Sequence, residues 1–413
     1  MENRFYIGVD LDDCNAVISC YEVNSREPQT ISAVAGSEVY QIPVLLAKKK
    51  GIGQWFIGEE ALRLSIRQGE EAVGRLLDRA LKQEMVFVEE EKYPAEELLV
   101  LYLKKLLLMA GGLGSVRLPD KLVICLKELS REVMTLFAGI AEKLGLRAEQ
   151  MMLLDRKECF YYFVYHQAPE LTLHDVYLFD YRGEDISCCR LEKKQRTSPQ
   201  LITLTEEIRR LSAAARDENF LKVLQDCFKG RIVSSAYLIG DGFDGDWMKR
   251  SVSFLCKGRR AFVGKNMYSK GACYAAEVSE HPQEWAYVYL GENEMKVNVS
   301  LKVYNRGAME FFTLINAGDN WYETVGGCEV ILSGTPEIDF WLQAPHSRTA
   351  RIEKLTLSDL PERPDKTTRL RITAKPLSDA KVQIQLKDLG FGELFPGSGK
   401  VWDYVMNFEG DTQ

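Results

Sequence analysis

Along the first third of the chain, short apolar runs alternate with longer stretches of helical spacing. Residues 5–22, FYIGVDLDDCNAVISCYE, are two apolar runs joined by an acidic turn, the pattern of two buried strands in a hairpin. Residues 32–47 and 54–57 alternate like further strands, with Gly36 and Pro43 as punctuation. From Gly58 the spacing turns helical over 60–82 and 94–110, where Leu98, Leu99, Tyr102, Leu103, Leu106 and Leu107 form one wide stripe. KLVICL at 121–126 reads as a fully buried strand, and the helix predicted after it has Ser130 as N-cap and Gly145 as its stop. MMLLD at 151–155 predicts another strand, and 157–166 an aromatic helix. Strand, helix, strand, helix in close order predicts an α/β layer.

The plan then repeats. Residues 176–192 form a second strand, acidic turn and strand, with Asp180 ending the first run and Gly183 in the turn, which implies two similar halves facing each other. Residues 201–228 read as helical, and SAYLIG at 235–240 as a buried strand running into DGFDGD. Helices are expected from Trp247 and, rich in small residues, over 264–278. From Trp285 onward the pattern changes to regularly spaced short alternating runs at 287–290, 295–304, 309–315, 325–332, 338–342, 352–357, 370–374 and 382–386. Such spacing predicts a β-sandwich. The expected domains are 1–284, with lobes of about 1–170 and 171–284, and 285–413.

With 413 residues, 46% of them hydrophobic, the chain can bury more than one core. Its 53 basic and 60 acidic residues, net −7, are dispersed, so there is no electrostatic footprint for nucleic acid. The ten cysteines sit mostly in apolar runs and lack the paired spacing of zinc sites, and the adjacent Cys188 and Cys189 point to opposite faces of a strand; all read as reduced core residues. No apolar stretch approaches membrane-spanning length, and no targeting segment opens the chain, so no membrane association and a cytoplasmic location are expected. His166, His174, His281 and His346 are scattered, without triad or ligand spacing. Taken alone, Asp12 and Asp13 read as a solvated turn, and Asp10 and Asp180 as turn caps.

Two strand, acidic turn, strand units, a glycine turn after a buried strand and a terminal run of β-strands occur together in one known family. In this order the chain resembles the seventy-kilodalton heat-shock chaperones of the actin-like and sugar-kinase-like ATPase superfamily. GVDLDDCNA at 8–16 lies where that family has its first phosphate loop, YQIPVLLA at 40–47 where it has its Pro-Ser strand, and WFIGEEAL at 55–62 where it has its Gly-Asp-Ala helix start. The run 122–166 is similar to its segment from the Val-Pro strand to the helix after Asn-Glu-Pro. VYLFDYRGEDIS resembles its second phosphate loop, YLIGDGFDG its adenosine-side loop, and 357–399 the last strands of its peptide-binding sandwich. The resemblance implies a two-lobed actin-like, ribonuclease H-like ATPase fold with a reduced second lobe, followed by a C-terminal β-sandwich. It also implies a nucleotide cleft lined by Gly8, Asp10, Asp13, Asp180, Gly183, Gly240 and Gly242.

Each of those loops departs from the family. Gly-Thr-Thr of the first loop has become Asp12-Asp13-Cys14, which sets carboxylates against phosphates. Gly-Gly-Gly-Thr of the second has become Arg182-Gly183-Glu184-Asp185, and bulky side chains take the place of bare backbone. In the adenosine-side loop Asp241 replaces a glycine, and Asp244 stands near the family's adenine-stacking cation, where an acid cannot make that contact. The segment 74–79 offers no lysine in register with the catalytic one. The stretch between Asp180 and Gly240 is too short for the family's adenine-closing lobe. The expectation is therefore a degenerate, non-hydrolysing chaperone-like scaffold that binds protein or an extended peptide and takes no cofactor. The alternative is an active Mg-ATP hydrolase, with Asp10 and Asp180 as catalytic groups holding hydrated magnesium and Arg182 or Arg75 neutralising phosphate. The short segment after the sandwich leaves no room for a full helical lid, so peptide binding is expected to be weak and fast, or the groove to be filled by residues 402–408.

Overall fold

The computed structural model describes residues 4–408 except 26, 35, 52, 111–117, 195–198, 213, 346 and 348; His346 thus lies outside the described residues. It is a mixed α/β protein. The chain divides into two compact units, Met1–Glu192 with Thr205–Trp285, and Lys193–Leu204 with Ala286–Gln413.

Two sheets organise the first unit. In one, Phe5–Leu11 is central, antiparallel to Asn15–Glu22 on one side and parallel to Lys121–Leu126 on the other. Gln29–Thr30 extends it beyond Asn15–Glu22, and Met151–Asp155 lies parallel to Lys121–Leu126 at the opposite edge. In the other sheet Asp175–Arg182 holds the same central place. It is antiparallel to Asp185–Lys194 and parallel to Val233–Ile239, with Arg260–Val263 beyond the latter and Gln200–Arg210 beyond Asp185–Lys194. Strand order and direction around the two hairpins are therefore the same. The central strands are apolar nearly throughout because both faces are covered.

Helix ends follow their local chemistry. Ser130 accepts from the Val133 amide and starts Arg131–Leu144, which Gly145 ends in the left-handed conformation. The Asp155 carboxylate accepts from the amides of Lys157 (2.7 Å) and Glu158 (2.8 Å) and starts Arg156–Tyr165. The Met267–Glu280 helix carries small residues where it is pressed against the first sheet on one side and the Arg156–Tyr165 helix on the other. A Cβ on Gly8 would lie 2.2 Å from the Ser269 carbonyl oxygen, and one on Gly271 would lie 1.8 Å from that of Cys159.

Several segments differ from their sequence patterns. Residues 201–228 are not one helix: Gln200–Arg210 is a strand whose Ile and Thr residues favour extended backbone, and the helix is Arg216–Phe228. The stretch 60–82 is broken by Gly69, left-handed at φ 67°, into the Gly58–Gln68 helix, the short strand Ala72–Gly74 and the Leu76–Leu81 helix. Among the described residues of 32–47, only Ile42–Pro43 and the start of Leu45–Lys49 are strand. Met85–Val88 and Glu91–Pro94 form a hairpin whose turn places both Glu89 and Glu90 at positive φ, a geometry that Asn or Gly would have announced.

The second unit holds two antiparallel sheets. One has the order Ala308–Ile315, Asn298–Asn305, Glu337–Gln343, Arg351–Thr356. In the other, Thr368–Ser378 lies between Gly326–Leu332 and Lys381–Phe391, and Val401–Asn407 pairs with Lys381–Phe391. Val299, Leu301, Phe340 and Leu342 of the first share a buried core with Ile372, Ile384 and Leu386 of the second. Met406 and Phe408 complete that core, so 402–408 is a structural strand of the sheet and the residue after it. Also in this unit, Gln200–Thr203 runs parallel to Tyr287–Leu290.

Candidate functional site

The two hairpin turns of the first unit supply the carboxylates singled out in the sequence, and each is met by an arginine. Arg156, the first residue of its helix, donates from Nε to Asp10 Oδ1 (2.8 Å) and from Nη2 to Asp12 Oδ2 (2.9 Å). Arg182 donates from Nε to Asp180 Oδ1 at 2.9 Å. Beneath them the Tyr268 ring lies 5.5 Å from the Arg156 guanidinium carbon. Burial raises the Tyr268 hydroxyl well above its ordinary range, and the Asp180 and Asp10 charges add to that, so the carboxylates of both hairpins act on one ring.

Electrostatics in this cluster is a contest between burial and pairing. Burial pushes the Asp10 carboxyl upward, and the Arg156 and Arg182 guanidiniums pull against it. At Asp12 burial also acts upward but is outweighed by the Asn15 amide, Arg156 and the Cys14 amide, which leave the carboxyl below its usual value. Burial opposes the charge on Arg156, yet Asp10 holds that guanidinium firmly protonated. Arg182 is held charged by Asp180 in the same way, against burial and against the nearby Arg156.

The remaining predicted residues have places in the chain's own packing. Asp12 Oδ1 closes the hairpin by accepting from the Cys14 and Asn15 amides, both at 2.8 Å. Asp13 does not face this cluster: its Oδ1 accepts from the Asp78 amide at 3.0 Å and so caps the Leu76–Leu81 helix. Gly8 lets the Met267–Glu280 helix approach its strand, and Gly183 supplies the positive φ of the second hairpin turn. A Cβ on Gly240 would lie 2.3 Å from the Tyr181 carbonyl oxygen, and one on Gly242 the same distance from the Tyr181 ring. Arg75 pairs with Asp78 on the surface.

Sequence reading picks out Arg182 but misses Arg156 and Arg216. Arg216 lies over the rings of Tyr181 (4.7 Å) and Trp247 (4.4 Å), donates from Nε to the Tyr181 hydroxyl at 3.1 Å, and also donates to the Gly242 carbonyl. Phe243 stacks parallel to Trp247 at 6.2 Å, so the loop after Val233–Ile239 is filled by side chains of this chain. Asp244 instead pairs with Lys265. The one available signal for Arg156 was its position directly after a buried strand that ends in an acid, parallel in the sheet to the strand carrying Asp10. Arg216 carries no signal in its own neighbourhood, because its aromatic partners come from two other segments.

Fold and site together define an α/β protein with two like-ordered sheets, in which the hairpin carboxylates Asp10, Asp12 and Asp180 are paired with Arg156 and Arg182. Residues 27–292 match the family of unknown function DUF5716, C-terminal, and the chain belongs to that family. Residues 294–408 match the domain of unknown function DUF8552. No curated protein matches the chain. Among the described residues no helix is long and apolar enough to cross a membrane.

Proposed function

We propose that this protein is a non-hydrolysing relative of the heat-shock chaperone and actin-like ATPases, in which the ATPase fold serves as a scaffold and the terminal unit binds protein or extended peptide. The repeated strand order of the two sheets supports a duplicated ribonuclease H-like architecture. Two antiparallel sheets over one core support the reading of the second unit as a β-sandwich.

The observation that carries the loss of catalysis is the pairing of Arg156 with both Asp10 and Asp12. A hydrated magnesium would have to take those carboxylates from a buried guanidinium, and Asp180 from Arg182. The Tyr181 ring lies against Gly242 and meets Trp247 edge to face, and Arg216 lies over both rings, where an adenine would need open space. The residues present do not fit Mg-ATP.

A binding role is supported by the outer face of the sheet from Asn298 to Thr356. Met309 and Phe311, each 57% exposed, continue across Lys302 to Trp341 and Ile352. Phe311 and Trp341 meet edge to face at 5.2 Å. Such a strip, beside the edge strand Ala308–Ile315, suits a partner that offers apolar side chains and an extended backbone.

Calorimetric titration with Mg-ATP tests the scaffold reading: no heat of binding is expected, and micromolar affinity that Asp10→Ala abolishes would overturn it. Binding of a hydrophobic peptide library is expected to weaken at least about tenfold in Phe311→Ser with Trp341→Ser, since a single apolar anchor contributes more than 1 kcal/mol. Equal binding by wild type and variant would remove the assignment of this face.

A further inference from the structure

In the second unit, the sheet of Gly326–Leu332, Thr368–Ser378, Lys381–Phe391 and Val401–Asn407 has an outer face distinct from the apolar strip around Phe311 and Trp341. Ile372, Ala374, Ile384 and Leu386 turn into the core, so Arg369, Arg371, Thr373 and Lys375 on one strand and Gln383, Gln385 and Lys387 on the next turn outward. Register sets these side chains in rows. Glu329 is opposite Arg371, Arg371 opposite Lys387 and Lys387 opposite Val401, and the next row holds Thr373, Gln385 and Asp403.

Charge on this face is not balanced. Glu329 serves two arginines, with Oε1 2.8 Å from Arg371 Nη2 and Oε2 3.6 Å from Arg369 Nη1, so it offsets the charge of one. Asp403 Oδ1 accepts instead from the side-chain amides of Gln385 (3.1 Å) and Gln383 (3.4 Å). Lys375 and Lys387 are exposed, and among the described residues neither has a carboxylate within ion-pair distance. Arg371 and Lys387 are like charges directly opposite each other, an arrangement that costs stability in a sheet. A positive excess therefore stands on one face of a chain whose net charge is −7.

Aliphatic side chains stand among these cations. Ile331 is opposite Arg369, Val401 opposite Lys387 and Val405 opposite Gln383, and all three are exposed. Such a mixture suits a partner that brings carboxylates and aliphatic groups together. Arg371 and Lys375 are four residues apart on one strand, about 13 Å, which is the separation of every second side chain on one face of any extended chain. None of the outward side chains named is aromatic, so these rows lack the rings on which the bases of single-stranded nucleic acid stack.

We infer that this face docks an acidic, extended segment of a partner protein, with carboxylates that pair with Arg371, Lys375 and Lys387 and aliphatic groups that pack on Ile331, Val401 and Val405. The test is fluorescence anisotropy of a labelled peptide of Glu-Glu-Val-Val repeats with the full chain, a repeat that alternates glutamate and valine on each face of an extended peptide. Binding is expected to weaken as salt rises, and to fall about five-fold in Lys375→Gln with Lys387→Gln. Glu329→Gln, which releases both arginines, is expected to tighten it about two-fold, and Phe311→Ser with Trp341→Ser, on the other sheet, to leave it unchanged. Circular dichroism confirms that each variant is folded before affinities are compared. No binding by the wild type, equal binding by the lysine double variant, or loss of binding in the Phe311 and Trp341 variant would overturn the proposal. So would equal binding of a Lys-Lys-Val-Val peptide, or tighter binding of a single-stranded oligonucleotide or of phosphatidylserine vesicles.

Discussion

Arg156 and Asp10 form an ion pair with side chains only 12% exposed on each partner, at an Nε to Oδ1 distance of 2.8 Å. Neither charge can be left alone at such depth. Arg156→Met is expected to destabilise the protein by about 3–5 kcal/mol, because Asp10 loses its counter-ion while Asp12 keeps its turn amides. Adding Asp10→Asn should recover part of that loss, since the unpaired charge is removed. Urea denaturation of wild type, the two single variants and the double variant measures this. Strictly additive effects would contradict a direct pairing.

Gly8 and the Ser269 carbonyl mark the closest approach of strand to helix in the first unit. Because the atoms a Cβ would meet are helix backbone and the Ala272 Cβ, with no flexible side-chain end among them, the helix itself must move. Gly8→Ala is expected to cost about 3 kcal/mol, the upper part of the usual overpacking range. Gly183→Ala meets no atom within 4 Å and pays only for its positive φ, so it should cost about 1 kcal/mol. Chemical denaturation of the two variants side by side distinguishes packing from conformation.

Asp13 caps a helix across a sequence separation of 65 residues. Asp13→Ala is expected to destabilise by about 1 kcal/mol, and Asp13→Asn, which keeps an acceptor oxygen, by less. If Asp13 instead acted on a bound phosphate or cation, both variants would leave stability unchanged, and thermal melts decide between the two.

How far the sequence could be read depended on the range of the interactions. The two hairpins at 5–22 and 175–194, the buried strand KLVICL and the Ser130 cap are set by residues near one another, and period and turn chemistry reveal them. Asp10, Asp12, Asp180 and the glycines were also visible, as residue types at loop positions. What Asp10, Asp12 and Gly8 do was not visible, because it is decided by partners more than a hundred residues away, Arg156 for both carboxylates and Ser269 and Ala272 for Gly8. That residues 402–408, expected as a groove filler, belong to a strand of the sheet is hidden for a similar reason: the buried Met406 is fixed by pairing with Val382, and Phe408, just beyond the strand, joins the same core.

His166 gives the fold a pH dependence of its own. Its ring is stacked between Tyr274 (4.2 Å) and Trp285 (4.7 Å), and Nδ1 donates to the Tyr162 carbonyl at 2.8 Å. Burial lowers its pKa from 6.5 to about 4. Glu277 Oε2 is 3.9 Å from Nε2, but burial raises that carboxyl too, and the charge of His281 pulls it back, so it is a weak counter-ion for an imidazolium. Since the folded state binds this proton less readily than the unfolded state, the stability contributed by neutral His166 is complete above pH 6.5. It is lost as pH falls from there towards 4, by about 3 kcal/mol in all. His166→Phe keeps the aromatic stack, removes the titration and gives up only the bond to Tyr162, so its urea midpoint should fall less steeply than that of wild type between pH 6.5 and 4.5. Carboxylates shared by the two proteins cancel in the difference, and identical slopes would show that His166 titrates in the folded state as it does in water.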